Sequence, residues 1–219
     1  MAATCSSAQV STSGDVTVGV LDARVSADRT PAGLSKQTDA TTPWGSVSIV
    51  SSGGSILDNA NTTVDVYANE LKLSTAAAGG VGQSTNALET EVAKVSANAG
   101  TAGLYLSEAS AVKVGRTASL GINRVQADGS VAANTPPDAQ QDNLSSGGNL
   151  VVLAGGDLES LATGAISAAG NLLLSTSAGG NITLGAAVSN SAGNTSINAA
   201  GAIVQNANVT AKIGRASCR

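Results

Sequence analysis

The chain has 219 residues, of which 26 are Gly, only 12% are charged and 1% are aromatic, with no Phe. This composition lacks the large side chains of a conventional globular core, whereas its 42% of apolar residues argues against intrinsic disorder. A net charge of −4, two Cys and no His exclude a strongly basic nucleic-acid-binding domain, a histidine base and a cysteine-rich metal site.

The first fifteen residues, MAATCSSAQVSTSGD, contain neither a basic nor an apolar stretch of the kind that secretory signal peptides have. The longest apolar runs of the chain are far shorter than the ~20 residues that cross a bilayer, so we expect no transmembrane segment. The 11 basic residues are dispersed, and we expect no nucleic-acid partner.

Short β-branched and apolar runs, bounded by Gly, Ser, Asn or Ala, predict strands in the first two thirds of the chain. The predicted strands are Val16–Val20, Val47–Val50, Val64–Tyr67, Leu71–Leu73, Leu104–Leu106, Val112–Val114 and Leu120–Ile122. The segment Ala87–Ala97 also fits a helical template, so a helical turn is an alternative there. Two stretches rich in charged residues or Pro, near 22–45 and 131–146, predict loops that leave the repeating structure.

The last third of the chain carries an internal repeat of about 22 residues. Three interleaved series of apolar residues share this period, and each follows a Gly-containing turn: Val152, Leu174 and Ile197; Leu158, Ile182 and Ile203; Ile166, Val188 and Val209. Three strands per repeat are too few to bury their own apolar face, so neighbouring repeats must stack in register. The sequence therefore predicts an all-β fold, a parallel β-helix with three short strands in each coil.

Alternation along each strand predicts which side chains point inward. In the first series the apolar residues are expected inside, and their neighbours Val151, Leu173 and Ser196 outside. Asn149, Asn171 and Asn194 share one repeat position after the turn glycine, where we expect a stacked ladder with a structural role.

The final octet, KIGRASCR at 212–219, resembles the translation of a sequencing adapter. The repeat pattern stops at Ala211, where the octet begins. We therefore assign 1–211 to the repeating structure and expect 212–219 to be an artefact that adds nothing to the fold.

The repeats from Gly147 to Ala211 (GGNLVVLAGGDLESLATGAISAAG and onwards) resemble the shaft of filamentous-haemagglutinin-like exoproteins, very long bacterial surface adhesins. Gly54–Gly82 and Asn86–Ser107 are similar to modules of such giant proteins. The resemblance implies a right-handed β-helix, a secreted or cell-surface location and a shaft role in adhesion. It implies neighbouring coils of the same parent chain as partners, with host-cell or biofilm glycans or proteins at a distal region. It supplies no catalytic, cofactor-binding or metal-binding residue, so we expect none and no enzymatic activity.

Two other functions are alternatives. A polysaccharide lyase or glycosidase needs acids grouped on one exposed face; the densest acidic set is Asp65, Glu70, Glu89, Glu91 and Glu108, with Lys72 and Lys94 nearby, which we interpret as a solvated charged face. A calcium-binding β-roll needs a G-G-x-G-x-D nonapeptide, which neither Gly155-Gly156-Asp157 nor Gly53-Gly54-Ser55 completes.

Overall fold

The computed structural model describes residues 7–25, 29, 44–133 and 137–212. These residues form twenty-two β-strands and no helix. The strands up to residue 114 are β1 (Ala8–Thr12), β2 (Val16–Val18), β3 (Leu21–Asp22), β4 (Val47–Ser51), β5 (Ile56–Asp58), β6 (Val66–Thr75), β7 (Gly80–Val81), β8 (Leu88–Ala99), β9 (Gly103–Glu108) and β10 (Val112–Val114). Those that follow are β11 (Arg124–Val125), β12 (Val131–Ala132), β13 (Leu144–Ser146), β14 (Leu150–Ala154), β15 (Leu158–Ser160), β16 (Ile166–Ala168), β17 (Leu172–Thr176), β18 (Ile182–Leu184), β19 (Val188–Asn190), β20 (Thr195–Asn198), β21 (Ile203–Gln205) and β22 (Val209–Ala211).

Twenty of these strands belong to one hydrogen-bonded sheet, and their pairings are parallel. Only β11 and β12 form a separate, antiparallel pair within the described part of the chain. Parallel strands need a crossover connection between them. Here the connection consists of two other strands: β15 and β16 lie in the chain between β14 and its partner β17. This pattern is compatible with a β-helix or solenoid.

The register predicted for the last third of the chain is confirmed. Val152 pairs with Leu174 and Leu174 with Ile197, and the other two series pair in the same way. Val152 and Leu174 are buried, whereas Val151 and Leu173 are half-buried. The inward residues of these strands continue one apolar core along the sheet as far as Val188. In the last layer Ile197 and Val209 are half-buried against that core, and Ile203 is exposed.

The predicted asparagine ladder is also present. The backbone N–H of Asn171 donates to the side-chain oxygen of Asn149 at 2.8 Å, and that of Asn194 donates to Asn171 at 2.9 Å. Asn181 repeats the arrangement in a second column, where its side-chain oxygen accepts from the N–H of Ala202. Each of these side-chain oxygens thus accepts a hydrogen bond from a backbone N–H in the turn of the next repeat. That N–H has no partner within the sheet itself.

Two segments interrupt the spacing of paired strands. Leu71 pairs with Val95, but Leu104 pairs with Leu150, which lies almost twice as far along the chain. The difference arises because the chain leaves the sheet after β10 and rejoins it at β13. The described residues of this arm, 115–133 and 137–143, contain the β11–β12 hairpin. The ends of the predicted 22–45 loop also meet, since the N–H of Gly45 donates to the carbonyl of Ala23 at 2.8 Å. Most of that loop, and 213–219, lie outside the described residues.

Several sequence-based expectations were wrong in detail. The alternative of a helix at Ala87–Ala97 is wrong, because β8 occupies it and pairs with four other strands. The loop near 131–146 is shorter than expected, because β12 and β13 lie at its two ends. Leu120–Ile122 is not a strand and forms only an isolated bridge at Leu120. The predicted strands Val64–Tyr67 and Leu71–Leu73 are replaced by one longer strand, β6, which begins at Val66 and leaves Val64 and Asp65 outside it. No helix among the described residues is long and apolar enough to span a membrane.

Candidate functional site

The charged residues that the sequence grouped together do not form one solvated face. Asp65, Glu91, Glu108 and Lys72 are all buried, with 0 to 9% of their surface exposed. The interpretation of the acidic set as solvated is therefore wrong for these residues. The structure divides the set among an outer groove, a polar contact with the arm, a buried glutamate and a cluster of three carboxylates.

The outer groove contains a ladder of four charges on successive strands. Glu70 pairs in register with Lys94, Lys94 with Lys113, and Lys113 with Glu159. Ion pairs join the outer members to the inner ones: Lys94 Nζ lies 2.5 Å from Glu70 Oε1, and Lys113 Nζ lies 3.0 Å from Glu159 Oε2. The two adjacent lysines would repel each other, and the flanking carboxylates offset that repulsion.

This groove has a volume of about 530 Å³, and the walls beside the ladder include Asn69, Ala93, Ala111, Val112 and Asp157. The Asp157 carboxylate is also engaged, because Oδ1 accepts from the backbone N–H of Asn181 at 2.7 Å. The groove thus offers a mixed polar and apolar surface whose acids already have partners. Such a surface suits contact with a neutral polar chain better than acid catalysis, which needs a carboxylic acid with a proton to give.

The described part of the arm packs on the outer face of the sheet through polar contacts, in which Ser48 and Lys72 of the sheet are buried and Asp138 and Gln141 of the arm are half-buried. Asp138 accepts hydrogen bonds from Lys72 Nζ and from Ser48 Oγ. Gln141 Nε2 donates to the carbonyl of Leu73 at 3.0 Å, and Ala118 N–H donates to Glu70 Oε2 at 2.8 Å. These contacts place the base of the arm against the ladder of the groove.

Glu108, one of the buried glutamates, ends β9. Its carboxyl accepts hydrogen bonds from the hydroxyl of Thr90 at 2.8 Å and from the backbone N–H of Val92 at 3.1 and 3.2 Å. Burial nevertheless raises the pKa of Glu108 well above its ordinary value, and the neighbouring Glu91 adds to the rise. Glu108 is therefore a neutral hydrogen-bonding group of the core at mildly acidic pH.

The raised pKa of Glu108 predicts a stability that depends on pH. Above pH 4.5, the ordinary pKa of Glu, the unfolded chain loses the proton while the folded chain keeps it, so the free energy of unfolding falls as pH rises. Glu108→Gln removes this contribution, and we expect a flatter pH profile. The measurement is urea unfolding between pH 4.5 and 8 in EDTA, followed by the fluorescence of Trp44, the one Trp. Glu159→Gln, on the outer ladder, is the control, and equal slopes for Glu108→Gln and the unchanged chain would contradict the assignment.

The carboxylate cluster comprises Asp58, Asp65 and Glu89. Each offers an oxygen, and these oxygens all lie within 4.8 Å of one another. Burial raises the pKa of Asp65 to about 7, and its contact with Asp58 adds to the shift. Burial also raises the pKa of Glu89, and the negative charge of Asp58 acts in the same direction. Among the described residues, these three are the group with donors suited to a metal ion.

The sequence contained a signal for part of this cluster. Asp65 and Glu89 are separated by the same length of chain as the paired residues Leu71 and Val95. Residues at that spacing lie on adjacent strands, so the two carboxylates had to be neighbours. No such spacing relates Asp58 to them, because it reaches the cluster through the turn at 59–64.

Comparison with known proteins leaves the chain without an assigned relative. No protein-family model matches it, and neither a curated protein nor a solved structure is significantly similar to it. The resemblance to haemagglutinin-like shafts therefore stays a prediction from the repeats.

Proposed function

We propose that this chain is a right-handed parallel β-helix with three strands and about 22 residues per coil, and that it is a shaft segment of a large exported bacterial surface protein. The observation that carries the proposal is the continuous register of the three apolar series, in which each residue pairs with its equivalent in the next repeat. A structure built this way lengthens by one strand spacing, ~4.8 Å, for each added coil. A right-handed path is supported by the strong preference for right-handed crossovers between parallel strands.

The proposed role is mechanical and adhesive, without catalysis. The shaft projects a distal region that binds glycans or proteins of a host cell or biofilm, and its partners within the molecule are the coils of the same parent chain. Low charge and small side chains favour this role, because an exported chain can then fold by adding one coil to the next. The alternative of a carbohydrate-active enzyme gains no support from the groove, where Lys94 and Lys113 engage the glutamates.

The test of the shaft is a controlled lengthening of the molecule. Four tandem copies of residues 150–171, one full repeat, are inserted after residue 171. We expect the longest dimension in small-angle scattering to grow by about 19 Å, four times the strand spacing, while the cross-section stays constant. A matched insertion carries Asp at the positions of Val152, Leu158 and Ile166 in every copy and is expected not to extend the rod. Growth of the cross-section would contradict the shaft, and turnover of a polysaccharide by the unmodified chain would favour the enzyme.

A further inference from the structure

The carboxylate cluster is held by the backbone at a corner of the fold. Asp58 ends β5, Asp65 directly precedes β6, and Glu89 lies in β8. The backbone N–H of Asp65 donates to the carbonyl of Glu89 at 2.9 Å, and the N–H of Leu21 donates to the carbonyl of Asp65 at 2.7 Å. The three carboxylates are thus fixed close together by strand pairing on both sides of Asp65.

The second observation concerns the oxygens themselves. Asp65 is completely buried, and neither of its carboxylate oxygens accepts a hydrogen bond from an N–H group or a hydroxyl of the described residues; the carboxyl groups of Asp58 and Glu89 are its polar neighbours. Asp58 is 7% exposed, and its Oδ1 also lacks such a donor, as does Oε2 of Glu89. Four buried carboxylate oxygens without donors in one place are costly, because a buried polar group normally recovers its lost hydration through a hydrogen bond or an ion.

Glu108 provides an internal comparison. It is buried to a similar degree, yet both of its oxygens accept hydrogen bonds from Thr90 or the backbone. This fold therefore can satisfy a buried acid with its own donors where no ligand is needed. At the cluster it does not, and no ion pair among the described residues involves any of the three carboxylates.

We propose that Asp58, Asp65 and Glu89 bind one calcium ion that ties the turn after β5 to the adjacent strands β6 and β8. A donor set made only of carboxylate oxygens selects a hard cation. Magnesium ordinarily retains several of its waters, whereas calcium accepts six to eight protein oxygens, including bidentate carboxylates. The near-complete burial of Asp58 and Asp65 leaves little room for retained waters, which favours calcium.

The proposed site differs from a calcium β-roll, whose nonapeptide the sequence does not complete, and from the expectation that the chain has no metal-binding residue. A β-roll repeats its ligands at every nonapeptide, whereas here Asp58 comes from the end of β5, and Asp65 and Glu89 come from the paired segments that contain β6 and β8. One ion bound once would cross-link consecutive layers at that corner.

The test uses the 219-residue chain, stripped with EDTA and titrated with calcium chloride at pH 7.5. At a calcium concentration of about 100 Kd, we expect the Tm, followed by Trp44 fluorescence, to rise by about 5 to 10 °C. Asp65→Asn and Glu89→Gln should lose this rise, while Asp128→Asn, which removes an exposed carboxylate in the arm, should keep it. Titration calorimetry should give one ion per chain.

The variants also separate loss of binding from loss of folding. In EDTA, Asp65→Asn should melt at or above the Tm of the unchanged chain, because it removes an uncompensated buried carboxylate. The proposal is overturned if calcium does not raise the Tm of the unchanged chain, or if it raises the Tm of Asp65→Asn and Glu89→Gln by the same amount. An equal shift with the same concentration of magnesium chloride would overturn the assignment to calcium.

Discussion

Leu174→Asp is expected to lower the free energy of unfolding by several kcal/mol, whereas Leu173→Asp should change it by no more than about 1 kcal/mol. Leu174 is fully buried between Val152 and Ile197 in consecutive strands. An aspartate there places a carboxylate among apolar neighbours. The adjacent Leu173 is half-buried on the outer side, where its replacement remains in contact with water.

Urea denaturation of the two variants checks this difference, with the unchanged chain measured at the same concentration. The two substitutions introduce the same group at adjacent positions of one strand, so they change composition and net charge identically. Similar denaturation midpoints would contradict the inward register of the first apolar series. They would also remove the observation on which the shaft proposal rests.

The regular part of this fold could be predicted because its repeats are uniform. Gly148, Gly170 and Gly193 open segments of nearly equal length, so apolar residues at equal offsets had to meet. In the first two thirds, the arm between β10 and β13 and the segment after Ala23 separate strands that pair. A search for a constant period cannot detect pairs separated by such insertions.

The strand at Leu88–Ala99 shows a different limit of sequence reasoning. Its Leu88, Val92 and Val95 satisfy a helical period, and local pattern alone does not distinguish the two structures. Pairing with β6 along most of that strand decides the outcome, because Val66 to Ser74 provide a row of hydrogen-bond partners. Tertiary contacts therefore override the local pattern there.

The buried acids were missed because charged residues are normally assigned to the surface. Glu108 follows Leu104 and Leu106 at a spacing of two, which places it on the inward side of β9. Strand alternation therefore contained the correct position, and the assumption about charge overruled it. Asp65 is buried for another reason, since it lies at a corner between strands, where alternation makes no prediction.

The second large effect on stability is expected at the stacked turn glycines Gly156, Gly180 and Gly201. Gly180→Ala should lower the free energy of unfolding by about 3 kcal/mol, because a methyl group there would lie 2.3 Å from the carbonyl oxygen of Gly156 in the preceding layer. That contact is with backbone, which cannot rotate away as a side chain can. The neighbouring Gly179 is retained for a different reason, since its φ of +80° is unfavourable for other residues while the space around it is open.

Gly14→Ala is the control for Gly180→Ala, because an added methyl group at Gly14 meets no atom within 4 Å. We expect Gly14→Ala to change the free energy of unfolding by no more than about 0.5 kcal/mol. Both replacements reduce the conformational entropy of the unfolded chain by the same amount. The difference between their free energies of unfolding therefore measures the steric cost in the folded state. The Gly201 N–H donates to the Gly180 carbonyl at 2.8 Å, so a displaced Gly180 would also disturb the next layer. Equal urea midpoints for the two variants would mean that the layers do not approach each other this closely, and the small side chains at these turns would then need another explanation.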